Sequence, residues 1–209
     1  MAIIKKGILG GFKGKAGTVV GYRSKGQDLM RGVPRKRSTP PTTKELVNRA
    51  KFATSQVWLQ PLIEFVRVGF QGYAETYEGF VAAKSYNSKH ALKGENPDFY
   101  IDPKLALLSF GDMDQSEKAT AVSESPGTIT FEWDGGRLVY DDRAMFVAYD
   151  IEKGKACFDT AAVKRSKKKG IFEIDPDYSG KTIHVYLAFV SEDRKRRSNS
   201  QYLGTVKVL

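Results

Sequence analysis

The first forty residues are too rich in glycine and in positive charge to build a hydrophobic core of their own. Residues 1–40 hold 8 glycines and 10 lysines and arginines. Over residues 1–60 the 13 basic residues face only Asp28 and Glu45, a net charge of +11, whereas the rest of the chain has a net charge of −1. A segment that gathers the charge excess of the whole chain is expected to contact another molecule.

The remainder has the composition of a folded protein. With 209 residues, of which 41% are hydrophobic and 11% aromatic, the chain can form one large core or two small ones. No apolar run reaches the roughly 18–20 residues of a membrane span, and the first ten residues lack the apolar region of a secretory signal. We therefore expect the protein in the cytoplasm, or in a particle assembled there, with no membrane partner. The single cysteine, Cys157, is expected to be a small buried side chain.

A small helical region is predicted directly after the basic arm. Thr42 and Glu45 have the spacing of a capping box, which places the start of a helix there. This first helix is predicted over residues 43–59, a second over 61–69 and a weaker third over 77–92. The apolar stripe of the first helix is predicted from positions spaced three and four apart, namely Leu46, Ala50, Ala53 and Val57, broadened by Val47 and Trp58.

From residue 104 onward the hydrophobic period changes to two, which is typical of strands. Seven or eight short antiparallel strands, separated by turn residues, indicate a sandwich of the immunoglobulin or fibronectin type III kind. Ile129, Phe131 and Trp133 alternate on one predicted core face, and Ile183, Val185, Leu187 and Phe189 do the same on another strand. The predicted strands are 105–110, 119–123, 128–133, 143–149, 155–160, 171–174, 182–191 and 202–208.

The predicted fold class is therefore α+β. It combines a basic Gly-rich N-terminal arm with a hairpin over residues 1–40, a helical region over 41–103 and a C-terminal antiparallel β-sandwich over 104–209. Within the arm, Lys25 and Gly26 lie at the turn of the predicted hairpin. The spacing of the other arm glycines suits a backbone that lies close to another surface or adopts positive φ. A flexible solvated tail is the alternative.

Nucleotide binding, metal binding and catalysis are not supported by the sequence. A phosphate-binding loop would need a glycine where Leu9 stands and a hydroxyl side chain where Ala16 stands. Only two histidines and one cysteine are present, without ligand spacing. There is also no nucleophile elbow. We expect no catalytic residue, no metal and no cofactor.

Two further basic runs lie in predicted sandwich loops, at residues 164–169 and 194–197. Such runs are ordinarily solvated, but they would extend one positive surface if both lay at the same end of the sandwich as the arm. Arm cations could then grip phosphates while an aromatic ring stacks on a base. The candidate partner- or polyanion-binding residues are Lys13, Lys15, Tyr22, Arg23, Lys25, Arg31, Arg35, Lys36, Arg37, Lys167, Lys168, Lys169, Arg194, Arg196 and Arg197.

Nearly the whole chain resembles an uncharacterised bacterial family, a domain of unknown function of about this length with a Gly-rich basic N-terminus and a fibronectin-like C-terminal half. The resemblance rests on the run from Gly7 to Gly21, on Thr39-Pro-Pro-Thr and the helix that follows it, and on the run from Ser198 to Gly204. Ser24 stands where the family commonly has tryptophan, which leaves Tyr22 as the aromatic residue of the hairpin. The resemblance implies no activity.

Two hypotheses about function follow from the arm. In the first, the protein is a non-enzymatic structural or assembly protein whose arm docks on a neighbouring subunit or scaffold, which could be a second copy of the chain. In the second, it binds nucleic acid through the arm and the basic sandwich loops. A third class, a carbohydrate- or protein-recognition module that uses the sandwich loops, stays open, and exposed aromatic residues clustered at one end would favour it.

Overall fold

The computed structural model of the protein describes residues 3–4, 10–24, 26–74, 78–137 and 141–209. The chain divides into two compact units, residues 1–42 and residues 43–209. The basic arm makes up the first unit, and the helical region and the sandwich together make up the second.

The arm forms a four-stranded antiparallel sheet. The predicted hairpin is confirmed, because Ser24 pairs with Gln27 across the turn, where Gly26 adopts a φ of +80° that glycine tolerates. The sequence did not predict the strand before it, because glycine and lysine alternate there in place of β-branched residues. The strands are β1 (Ile3–Ile4), β2 (Phe12–Ala16), β3 (Val19–Ser24) and β4 (Gln27–Gly32), and their spatial order follows the chain.

Three α-helices open the second unit close to the predicted positions. They are α1 (Thr43–Leu59), α2 (Ile63–Gly69) and α3 (Gly79–His90). A single 3-10 turn at Gln60–Leu62 joins the first two, so Pro61 bends the chain without ending the helical region. The start predicted at Tyr77 lies outside the described residues. Among the helices of the described ranges, none is long and apolar enough to cross a membrane.

The apolar stripe predicted for α1 is wrong at most of its positions, although Trp58 is buried as predicted. Leu46 is 52% exposed and Val57 is 72% exposed, whereas Ser55, Trp58 and Leu59 are buried. The fully buried residues of α1 lie in its C-terminal half, whereas Val47 and Ala50 nearer its start are only half-buried. The packing face is therefore rotated away from the stripe that hydrophobic spacing selects.

A buried serine contact explains why hydrophobic spacing misplaces this face. The Ser88 hydroxyl donates to the Ser55 hydroxyl at 2.8 Å, and the Ser55 hydroxyl donates to the Lys51 carbonyl at 3.1 Å. Two small hydrogen-bonded side chains let α1 and α3 approach closely without leaving an unsatisfied polar group. A pattern built on apolar residues does not register such a contact.

The sandwich consists of a three-stranded and a four-stranded antiparallel sheet. The first has the order β11-β8-β7 and the second the order β10-β9-β12-β13. A separate two-stranded ribbon, β5 with β6, lies between the helices and the sandwich in the sequence. The strands are β5 (Leu92–Lys93), β6 (Tyr100–Ile101), β7 (Lys118–Val122), β8 (Thr128–Asp134), β9 (Arg143–Asp150), β10 (Lys155–Asp159), β11 (Lys169–Glu173), β12 (Thr182–Val190) and β13 (Gln201–Lys207).

The strand predicted at residues 105–110 is absent, and this prediction is wrong. The backbone of this segment is satisfied by side chains and by carbonyl oxygens of turns and loops rather than by a neighbouring strand. The Leu107 amide donates to Asn87 Oδ1 at 2.8 Å, and the Leu108 amide donates to Ser200 Oγ at 2.9 Å. Because these partners come from separate elements, the segment connects the helices to the sandwich without forming a ladder.

Two cores flank the four-stranded sheet. The core between the sheets contains the predicted inward residues of β8 and β12, and within it the rings of Phe131 and Phe146 stack at 4.2 Å. The outer face of β9 and β12 is covered by the helices. There the Tyr149 hydroxyl donates to the Trp58 carbonyl at 2.7 Å. The helical region thus packs on the sandwich, and β9 and β12 are buried on both faces.

We expect Leu59→Ala to lower the free energy of unfolding by about 2–5 kcal/mol, because it opens a cavity in the core under the helices. Val57→Ala, two residues earlier on the exposed side of the same helix, should change it by less than about 0.5 kcal/mol. Urea unfolding of both variants measures the difference. A larger loss from Val57→Ala than from Leu59→Ala would contradict the orientation of α1 described above.

Candidate interaction site in the basic arm

One face of the arm sheet carries cations and an aromatic ring. Residues directly opposite each other in an antiparallel pair lie on the same face, and Val20 stands opposite both Lys15 and Arg31. Alternation along the strands adds Lys13 and Tyr22 to that face. The side chains of these cations and of Tyr22 are exposed. We call Lys13, Lys15, Tyr22 and Arg31 the basic face.

The cations of the basic face have no anionic partner among the described residues. The Arg31 guanidinium lies 5.5 Å from the centre of the Tyr22 ring, which positions it through a cation–π contact. Lys13 and Lys15 form no ion pair with any residue in the described ranges. Like charges held close together are relieved when an anionic group binds between them. The basic face is therefore suited to an anionic partner.

The glycines of the arm keep its strands close and its turns tight. Gly14 pairs with Gly21 across β2 and β3. A β-carbon at Gly21 would lie 2.2 Å from the Phe12 carbonyl oxygen and 2.6 Å from the Phe12 ring, so no larger residue fits there. Gly17, between the same strands, has a φ of +59°. Close approach and positive φ, both expected from the glycine spacing, are thus found within the arm itself.

The outer edge of β4 is open. The Val33 amide donates to the Thr18 carbonyl at 2.9 Å, which fixes the alternation of the ladder, so Asp28, Met30 and Gly32 direct their backbone groups away from β3. These groups have no hydrogen-bond partner within the described ranges. All six residues of β4 are exposed. We call the outward backbone of Asp28, Met30 and Gly32 the free edge.

Arg23, another of the predicted arm residues, contacts the hairpin turn. Arg23 donates from Nε and Nη2 to the Gly26 carbonyl at 3.4 and 3.3 Å. Its position in β3, next to Tyr22, places it on the face opposite the basic face. Lys25 lies outside the described residues. Arg23 therefore supports the turn that sets the register of β4.

The remaining arm cations follow the sheet. Arg35 and Lys36 are exposed in an irregular segment. Arg37 donates to the Thr39 carbonyl at 2.8 Å and to the Pro40 carbonyl at 3.2 Å. The structure thus brings together Lys13, Lys15, Tyr22 and Arg31, and leaves Arg35, Lys36 and Arg37 in the segment that leads to α1.

The two basic sandwich loops meet at one end of the sandwich. Arg194 Nη1 donates to Thr160 Oγ1 at 3.4 Å, which joins the β12–β13 connection to the β10–β11 connection. Lys167, in a short 3-10 turn, is exposed there. The two loops therefore lie at the same end of the sandwich.

Acidic partners neutralise the lysines of this end. Lys168 Nζ lies 2.7 Å from Asp134 Oδ1, and Lys169 Nζ lies 2.8 Å from Glu132 Oε1. The hydrogen bond from Lys168 lowers the pKa of Asp134, and the hydrogen bond to Glu132 raises the pKa of Lys169. These lysines form ion pairs with acidic residues of β8. They are therefore less available to a polyanion than the arm cations.

The arginines of this end are also engaged. Arg196 binds Asp112 in a bidentate manner, with Nη2 at 3.0 Å from Oδ2, and this hydrogen bonding lowers the pKa of Asp112. Arg197 is buried and donates to the carbonyl oxygens of Gln71 and Arg194. Burial lowers the pKa of Arg197. Arg197 thus ties the loop to the helical region, where it is not exposed to a partner.

Arg165 is a buried residue that the sequence placed in an exposed run. Its Nη1 lies 4.0 Å from Asp142 Oδ2, and both side chains are almost fully buried. The guanidinium lies 4.0 Å from the centre of the Phe189 ring. The backbone of Arg165 is also held from the sandwich core, because the Trp133 indole N–H donates to the Arg165 carbonyl at 2.9 Å. A run of lysines around one arginine gives no indication that the arginine turns inward.

The cavity at this end is balanced in charge. It has a volume of about 350 Å³. Three aspartates and three arginines line it, namely Asp112, Asp114, Asp142, Arg137, Arg165 and Arg196. Within the described ranges no group of three or more His, Cys, Asp or Glu residues is placed to hold a metal ion. The cavity at the loop end is therefore not a positively charged surface.

Two exposed aromatic residues lie beside the same loops. The rings of Tyr73 and Phe110 meet edge to face at 4.8 Å. They border a second cavity of about 380 Å³ that Lys195 also lines. This pair is the kind of feature that the recognition-module hypothesis requires, although its neighbours Arg196 and Arg197 are held by internal contacts.

Comparison with known proteins assigns most of the chain to a family. Residues 11–204 match the model of a family described as "Family of unknown function (DUF6266)". A search of the curated proteins finds no match to the chain.

We expect Arg196→Gln to raise the pKa of Asp112 toward its ordinary value of 3.8, because the hydrogen-bonded cation is lost. In the parent protein the pair stabilises the fold above that pH, and the stabilisation is lost as the pH falls through the lowered pKa. NMR titration of the Asp112 carboxyl measures this pKa in the parent protein and in the variant. Lys195→Gln removes a neighbouring charge of the same loop and serves as the control. An unchanged Asp112 titration in Arg196→Gln would contradict the pairing.

Proposed function

The chain belongs to the family of unknown function DUF6266. We propose that it is a non-enzymatic structural protein whose basic arm docks on a neighbouring subunit or scaffold. The observation that carries the proposal is the free edge of β4. Exposed edges of this kind are templates for pairing with another chain.

The lack of an interior in the arm supports docking. No described hydrophobic residue of residues 1–42 belongs to either core. Isolated small sheets are marginally stable in water without a covered apolar face. Met30, which is 65% exposed, and Leu29, also exposed, lie in the edge strand itself. A partner surface would cover these side chains and stabilise the sheet.

The distribution of charge also favours the arm as the contact surface. Residues 1–42 carry a net charge of +9, whereas residues 43–209 carry +1. Lys168, Lys169 and Arg196 are held in internal ion pairs. An acidic partner surface would therefore be attracted to the arm more than to the sandwich.

The sandwich fits the role of a scaffold that presents the arm. Its strand order, with a three-stranded sheet β11-β8-β7 facing a four-stranded sheet β10-β9-β12-β13, supports a fibronectin type III-like domain, a fold common in recognition proteins. We place the assembly in the cytoplasm, or in a particle formed there. A fibronectin type III-like fold does not by itself indicate a role, so the arm is the feature that supports docking.

We expect the full-length chain to form higher-order species or to co-purify with a scaffold, and a version that begins at Pro41 to lose them. Light scattering coupled to size exclusion measures the mass of each. Gln27→Pro, at the start of β4 beside the turn, should disturb the hairpin, since the Gln27 amide points toward β3 in the same alternation as Val33. Two monomeric forms that capture no partner would count against the proposal.

Nucleic-acid binding is the second candidate, and the basic face favours it. Three cations share one exposed face with Tyr22, which resembles a stacking platform lined by phosphate-binding groups. Three phosphate contacts predict a slope of about −2 in a plot of log K against log salt for a single strand.

We expect an oligonucleotide to separate the two candidates. If nucleic acid is the partner, a labelled twelve-residue oligothymidine should bind the full-length chain with this slope, and Tyr22→Leu should weaken it by about 1–3 kcal/mol while the charge is unchanged. Fluorescence anisotropy across a salt series measures both, and Tyr100→Leu, an exposed tyrosine of β6, is the control. If the full-length chain fails to bind at physiological salt, the arm charge serves a protein surface.

A further inference from the structure

We infer that the partner of the arm is an extended segment of alternating acidic and small apolar residues, which adds antiparallel to the free edge of β4. The inference rests on the proposed function and specifies the partner's chemistry.

The backbone of β4 sets how such a segment would bind. Asp28, Met30 and Gly32 offer N–H and C=O groups at every second residue along the open side. β4 contains no proline and pairs with β3 over its whole length without a shift in register. Proline, bulges and very short strands are the usual means of blocking an edge. The edge of β4 therefore accepts a strand of about five or six residues.

The basic face sets half of the partner's side chains. In an antiparallel pair, the partner residues opposite Leu29 and Arg31 fall on the basic face. There they lie beside the Arg31 guanidinium, which is held over Tyr22 and has no carboxylate partner among the described residues. Opposite charges across a strand pair stabilise it, whereas like charges destabilise it. Acidic residues are thus favoured at these positions.

The other face sets the remaining side chains. The partner residues opposite Met30 and Gly32 fall on the face of β4 that bears Met30, whose side chain is 65% exposed. A β-carbon at Gly32 would meet no described atom within 4 Å, so this side leaves room for apolar groups. Asp28 lies on the same face and disfavours acidic partners there. The partner sequence therefore alternates between acidic and apolar.

The edges of the sandwich do not fit this pattern. Each of its outer strands carries an exposed lysine. A second copy of the chain that offered β7 or β13 would bring a lysine toward the basic face, and β10 and β11 each offer a single acidic residue beside their lysine. The charge pattern thus favours an acidic partner over the strands of another copy. The lysines are Lys118 in β7, Lys155 in β10, Lys169 in β11 and Lys207 in β13.

The test uses the full-length chain and a fluorescein-labelled peptide of alternating valine and glutamate, seven residues long. In the inferred register the valine amides point toward β4 and the glutamate amides point away. N-methylation of the valines should reduce binding by at least about tenfold, through loss of ladder hydrogen bonds. N-methylation of the glutamates should leave binding within about twofold, which makes that peptide the matched control. Equal binding of both methylated peptides would overturn the inference.

Variants of the chain test the same contact from the other side. Met30→Pro removes one outward N–H at a position where an edge strand tolerates proline, and it should abolish peptide binding, whereas Met30→Ala should retain most of it. Protection of the Val33 amide from hydrogen exchange verifies that the hairpin of Met30→Pro is intact. Arg31→Glu should weaken binding by roughly threefold and favour a valine–lysine peptide instead.

Two further outcomes separate this inference from the proposed function, and a third supports both. If removal of residues 1–40 dissolves an assembly but the full-length chain binds no peptide, the inference fails and the assembly role stands. If the oligothymidine binds and displaces the peptide, or binds when the peptide does not, the partner is nucleic acid and the inference is overturned. Peptide binding by full-length protein that is lost in Met30→Pro supports both.

Discussion

The four-stranded sheet of the sandwich is the element on which the second unit depends, because β9 and β12 are buried on both faces. One face packs against the three-stranded sheet and the other against the helices. Tyr149 illustrates the second contact, since its hydroxyl is satisfied by the Trp58 carbonyl and burial raises its pKa to about 12. The helices therefore complete the core of the sandwich. The arm has no comparable interior, and this contrast is the reason to assign it a partner.

Charge follows the same division between the two units. Among the described residues of the second unit, at least ten basic groups form ion pairs with acids, and in the buried pair of Arg165 and Asp142 both side chains come from the loop end itself. Buried ion pairs of this kind fix geometry more than they add stability. In the arm the cations of the basic face are left without acids among the described residues. The cations of the basic face can therefore bind an anionic partner without first breaking an internal ion pair.

The sequence predicted the elements of the fold better than the surfaces between them. Alternation and turn residues located seven sandwich strands, and the hairpin of the arm was located by its turn, since these signals are local. The face of α1 was missed because Ser55 packs inside while Val57 lies outside. Arg197 was grouped with the exposed loop cations, but its carbonyl partner on Gln71 lies 126 residues away in the sequence. The basic face became visible only through strand register, which no periodicity gives.

The free edge has a consequence for the stoichiometry of any assembly. In the inferred strand addition each copy offers one side of β4, because β3 occupies the other side. Binding through this edge alone has a valence of one. Such a protein can decorate or terminate a lattice but cannot propagate one through β4, because each copy uses that edge on its host. Its copy number would then be set by the number of acidic segments that the host displays.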